Sequence, residues 1–132
     1  MSKLTQEMKD MIAGHQCFIG TVNKDGIPNV APKRSTRVFD DETLIFNEGT
    51  GGATYANILN GSKVSVALVN REVPDGYRFL CDAELQTEGA VYEQTKALSL
   101  KNGMRAPKAV ALLHILEIHS LKPGPTAGKR IA

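Results

Sequence analysis

The chain has 132 residues, 42% of them hydrophobic and 23% charged, which is the make-up of one ordinary globular domain able to bury a core without disulfides. A net charge of +2 and only 5% aromatics, with no Trp, give no support for nucleic-acid binding through a basic face or a base-stacking platform. No apolar run reaches transmembrane length, residues 1–13 lack the apolar stretch of a signal peptide, and Cys17 and Cys81 form no C-x-x-C pair, so a cytoplasmic protein with two buried free thiols is expected.

Residues 4–13 predict an amphipathic helix. Leu4, Met8, Met11 and Ile12 recur at spacings of three and four, Ser2 or Thr5 can cap it, and Gly14 can stop it. Residues 17–22 are rich in β-formers, 23–26 (Asn-Lys-Asp-Gly) signal a turn, and 27–31 resume extended structure, which makes a hairpin. Residues 33–39 read as polar extended chain, 40–42 as a turn and 43–47 as a short strand. A glycine-rich turn over 48–54 then leads into a short helix over 53–59. The clearest strand is 64–69 (Val-Ser-Val-Ala-Leu-Val). Pro74-Asp75-Gly76 is expected to turn it into a long strand over 77–88. A helix over 93–102 stops at Gly103, and 110–121 is β-leaning because the Pro/Gly-rich stretch beyond it cannot extend a helix. Residues 122–132 are a loop or tail of the single domain 1–132. The count is about six strands, mostly antiparallel, with three added helices, which indicates a barrel or sandwich.

The turn Glu48-Gly49-Thr50-Gly51-Gly52-Ala53-Thr54 is the most informative stretch. Glycines between a strand and a helix let backbone N–H groups converge, and the helix start adds unpaired donors, which favours an anion such as phosphate. The alternative is a bare turn that needs positive φ. It is neither a Walker A loop nor a Rossmann fingerprint. Just upstream, 33–37 (Lys-Arg-Ser-Thr-Arg) is the densest polar run. On an extended segment Lys33, Ser35 and Arg37 share one face, and Arg34 and Thr36 the other. Arginine suits phosphate through its paired donors, although a solvated edge strand also carries such residues. If this segment pairs with 43–47, its cations and the glycine turn lie at one end of the sheet. Thr54 either caps the short helix or offers its hydroxyl to a phosphate. His15, His114 and His119 are scattered. On a strand His114 and His119 face opposite ways, and no metal site or Ser-His-Asp elbow is evident.

The order of these elements resembles the flavin-binding split-barrel proteins related to pyridoxamine 5′-phosphate oxidase. The resemblance covers most of the chain. It runs through the opening helix, the hairpin over 18–32, the strand Leu44-Ile45-Phe46 and the helix-to-strand stretch Thr54-Tyr55-Ala56-Asn57-Ile58-Leu59 to Val64-Ser65-Val66. The tail Lys122-Pro123-Gly124-Pro125 is similar to that of small single-domain members. It implies a six-stranded antiparallel split barrel, a homodimer, and FMN in a groove at the dimer interface. Other members use F420 or haem-like ligands. By this resemblance, Lys33, Arg34, Ser35 and Thr36 lie beside flavin and phosphate. Asn47, Glu48, Gly51, Gly52 and Thr54 supply turn contacts, and Asn57 braces the turn. The lysine or arginine that many members carry just before the helix is missing from Gly51-Gly52-Ala53-Thr54. The phosphate charge must then be met by Lys33 or Arg34, by backbone N–H groups or by the second subunit. The longer C-terminal substrate region of a true pyridoxamine 5′-phosphate oxidase is also missing, so that activity is not expected. The implied roles are a flavin-dependent oxidoreductase or electron carrier with a small-molecule substrate or redox partner, or a non-catalytic cofactor-binding module. No catalytic residue is assigned.

Overall fold

The computed structural model describes residues 2–132. In chain order they form α1 (Gln6–Gly14), β1 (Phe18–Val22), β2 (Pro28–Pro32), β3 (Arg37–Asp40), β4 (Thr43–Glu48), α2 (Ala53–Leu59), β5 (Val64–Asn70), β6 (Asp75–Gln86), α3 (Ala90–Lys101) and β7 (Ala109–Ser120). The strands make one antiparallel sheet in the order β2-β1-β5-β6-β7-β4-β3. The fold is therefore mainly β with three helices, as expected. The sheet has seven strands and does not close, because β2 and β3 are its two edges.

The seventh strand is where the polar segment departs from expectation. Residues 33–36 are a turn, not extended chain: the Thr36 N–H donates to the Lys33 carbonyl at 3.1 Å, and the Thr36 hydroxyl donates to the same oxygen at 2.8 Å. A side-chain hydroxyl that bonds backbone three residues back favours a turn over a ladder. The two-faced alternation of Lys33, Ser35 and Arg37 against Arg34 and Thr36 therefore does not occur, and only Arg37–Asp40 joins the sheet. The β5–β6 turn also shifts. It occupies 71–74, and Gly76 lies inside β6 opposite Val69. A Cβ at Gly76 would stand 2.6 Å from the Leu68 carbonyl oxygen, so this glycine serves a close backbone approach and not a turn.

The core lies on one face of the curled sheet. Ile19, Phe46, Val66, Phe79, Leu113 and Ile115 are fully buried there, beneath Met8, Met11 and Ile12 of α1 and Ile58 of α2. Thr5 starts α1 by accepting from the Met8 N–H at 3.2 Å. Cys17 and Cys81 are free and buried in this core. A bulge against Leu80 and Cys81 adds a residue to β7, so Ile115 and Ile118, three apart, are both buried. His114 and His119, five apart, consequently share the outer face. They bond Glu84 at 3.1 Å and Glu117 at 3.0 Å, and strict alternation would have separated them. β4 is buried on both faces. Ile45, with Val110 and Leu112 of β7, packs under Val91 and Tyr92 of α3. That packing brings α3 and the loop after it to the Asn47 end of β4. Among the described residues no helix is long and apolar enough to cross a membrane.

Candidate functional site

The turn after β2, the end of β4 and the loop after α3 enclose a groove of about 540 Å³, a size suited to a small ligand. Pro32, Lys33, Arg34 and Ser35 form one wall. Asn47, Gly49 and Thr50 come from the end of β4 and the glycine turn, and Ser99, Met104, Arg105, Ala106 and Pro107 from α3 and the loop after it. Antiparallel pairing of β3 with β4 (Arg37 opposite Ile45) carries the 33–36 turn to Asn47 and the glycine turn. The juxtaposition inferred from the sequence is therefore present, although the polar run is a turn.

Several side chains are committed to holding this turn in place. The Asn47 N–H donates to Ser35 Oγ at 2.8 Å. Arg37 donates to the Ser35 carbonyl at 2.8 Å and to Asn47 Oδ1 at 3.3 Å. Burial lowers the pKa of Arg37 from its ordinary value, and its Nη1 is committed to protein acceptors. Arg34, by contrast, is exposed on the wall.

Glu48 is 1% exposed, and its carboxylate is internally matched. Oε1 accepts from Lys33 Nζ at 3.0 Å, and Oε2 accepts from the Gly51 N–H at 3.3 Å. Lys33 Nζ also sits 5.6 Å from the centroid of the Phe46 ring. Lys33 and one turn N–H are thus already engaged with an anion of the protein itself.

Thr54 and Asn57 bond elsewhere. The N-cap of α2 is Gly52, with no side-chain cap, so Thr54 does not cap the helix. Its buried hydroxyl accepts from Asn29 Nδ2 of β2 at 3.3 Å. Asn57 is buried and donates to Thr21 Oγ1 of β1 at 3.0 Å, which fastens α2 to the sheet.

Two cations near the turn were not singled out from the sequence. Arg105 lines the groove. Lys108 Nζ lies 4.9 Å from the Tyr55 ring centroid and beside Gly51. Both follow α3, far along the chain from the turn. They arrive because Glu48 pairs with Ala109 and the Lys108 N–H donates to the Glu48 carbonyl at 2.8 Å. No local pattern marks them; only the β4–β7 register does.

The pyridoxamine 5′-phosphate oxidase family matches residues 4–122. The chain belongs to this family. Among solved structures, HupZ of Group A Streptococcus is 48% identical with a TM-score of 0.85, covering 95% of this chain and 99% of that one. An uncharacterised protein of Methanocaldococcus jannaschii is 36% identical over 98% of this chain and 89% of its own length. An FMN-binding protein of Syntrophomonas wolfei shares the fold at a TM-score of 0.72 and 18% identity, covering 89% of this chain and 85% of that one. The split-barrel architecture of the pyridoxamine 5′-phosphate oxidase-like proteins is therefore the fold of this chain.

Proposed function

We propose that this protein binds FMN in the groove between the 33–36 turn and the loop after α3, and acts as a flavin-dependent oxidoreductase or electron carrier. The observation that carries the reading is the groove itself: a largely apolar lining that includes exposed Arg34 and Arg105 and residues of the glycine turn. A flat ring with an anionic tail matches that lining. Bound FMN supplies the hydride or electron chemistry, while the protein supplies binding and electrostatics. In this reading Arg34 and Ser35 border the ring and ribityl chain. Asn47, Gly51 and Gly52 shape the tail end, and Lys33 is held in reserve by Glu48. Thr36, Thr54 and Asn57 keep the frame. The working unit is a cytoplasmic homodimer whose second subunit completes the groove.

The test is direct. The purified protein is titrated with FMN while its visible spectrum is recorded, and then NAD(P)H is added. Saturable FMN binding supports the reading, and NAD(P)H-dependent bleaching favours an enzyme over a carrier without turnover. Arg34→Ala weakens FMN more than Arg37→Ala, because Arg37 is spent on Ser35 and Asn47. A protein that ignores FMN refutes the proposal.

A further inference from the structure

The glycine turn has no cation in its own sequence, and the nearby cation of the 33–36 turn is neutralised. Lys33 Nζ lies 3.0 Å from Glu48 Oε1, so that pair brings no net charge to a ligand. Lys108 is different. Its ammonium makes no ion pair among the described residues. Its backbone is pinned from both sides: the Lys108 N–H donates to the Glu48 carbonyl at 2.8 Å, and the preceding Pro107 carbonyl accepts from the Tyr92 hydroxyl at 2.7 Å. Its stem leads Nζ over the Tyr55 ring at 4.9 Å, which limits where the charge can go.

Gly51 makes room for that charge. A Cβ there would stand 2.8 Å from Lys108 Nζ and push the ammonium aside, and the residue's φ of +80° is one that favours glycine. On either side of it, a Cβ at Gly49 or Gly52 would meet nothing within 4 Å, so the turn is open to approach. Gly49 and Thr50 of the same turn line the groove, and Pro107, the residue before Lys108, lines it too, so the ammonium beside Gly51 lies next to the groove's turn end.

We propose that Lys108, reaching in from the loop between α3 and β7, is the cation that binds the phosphate monoester end of the groove's ligand. This assignment rests on the flavin-binding reading above. It also gives a physical account of the missing turn cation: the charge is delivered across the β4–β7 pairing.

FMN and riboflavin share ring and ribityl chain and differ only in the phosphate, so they separate this assignment from the reading it rests on. Their affinities are measured by fluorescence quenching for the wild type, Lys108→Gln and Lys108→Arg. Lys108 is exposed, and a thermal melt checks that each variant is folded. The wild type is expected to prefer FMN. Lys108→Gln lowers FMN affinity by roughly tenfold or more, the effect of removing a charge-assisted contact, and leaves riboflavin within about twofold. Lys108→Arg keeps most of the preference. Added salt erodes the preference in the wild type and not in Lys108→Gln. If Lys108→Gln changes neither affinity, or both alike, the assignment is wrong while flavin binding stands. The same holds if the wild type binds both flavins equally. A wild type that binds neither flavin refutes the reading and the assignment together.

Discussion

The Lys33–Glu48 pair makes an asymmetric prediction. Glu48 is 1% exposed, whereas the Lys33 side chain is 20% exposed, with Nζ and Oε1 3.0 Å apart. At an effective dielectric of about 20, that separation corresponds to roughly 5 kcal/mol of attraction before desolvation is subtracted. Lys33→Met leaves the buried carboxylate with only the Gly51 N–H at 3.3 Å. The cost is about 3 kcal/mol, at the lower end for a broken buried pair because Lys33 is not fully enclosed. Glu48→Gln leaves an ammonium that can turn to water, and an amide that still accepts from Gly51, so it costs only about 1 kcal/mol. The double variant Lys33→Met/Glu48→Gln leaves no buried charge and is more stable than Lys33→Met alone. Urea unfolding of the four proteins gives the cycle, with unchanged m-values as the check that the end states are comparable. If Glu48→Gln costs as much as Lys33→Met, or the two effects simply add, the buried carboxylate is not what Lys33 stabilises.

Other substitutions probe the frame. Gly76→Ala drives a methyl group to 2.6 Å from the Leu68 carbonyl oxygen and forces β5 and β6 apart, a loss of about 2–4 kcal/mol in urea unfolding. A loss below about 0.5 kcal/mol would show that the strands yield freely. Asn57→Ala removes the bond to Thr21 and leaves a buried hydroxyl without its donor, at about 1–3 kcal/mol, detectable as a lowered thermal midpoint. Burial pushes the Cys17 thiol up to about 11 and the Cys81 thiol, with help from Asp82, up to about 12. Both should therefore resist a thiol reagent at pH 8 until the protein is unfolded. In the native state these thiols keep their protons above the ordinary value of 9.0, where the unfolded chain loses them. The stability they contribute is complete below pH 9 and is lost as pH rises through about 11, so unfolding midpoints measured from pH 8 to 11 should fall.

Much of the architecture was legible in local patterns. The strand over 64–69, the short helix over 53–59 and the hairpin over 17–31 follow from runs of β-formers, turn residues and spacing, which act over a few neighbours. The order of those elements was enough to indicate the family. The 33–36 segment turns rather than extends because Thr36 bonds back to Lys33, which an alternating polar run does not reveal. Likewise Gly76 looks like a turn residue until β5 is laid against it.

The site divides along the same line. Lys33, Arg34, Ser35, Asn47 and the glycine turn are close in sequence, and the pairing of β3 with β4 that joins them is short-range. That Glu48 is buried and holds Lys33 depends on burial, which no single residue encodes. Arg105 at the groove and Lys108 at the glycine turn are brought there by the register of β4 on β7, fixed by the shared packing of Ile45, Val110 and Leu112 under α3. By itself the sequence determined the kinds of element, their order and a glycine turn without a cation. The tertiary structure decided which charges meet at that turn, because long-range strand pairing and desolvation are properties of the assembled sheet.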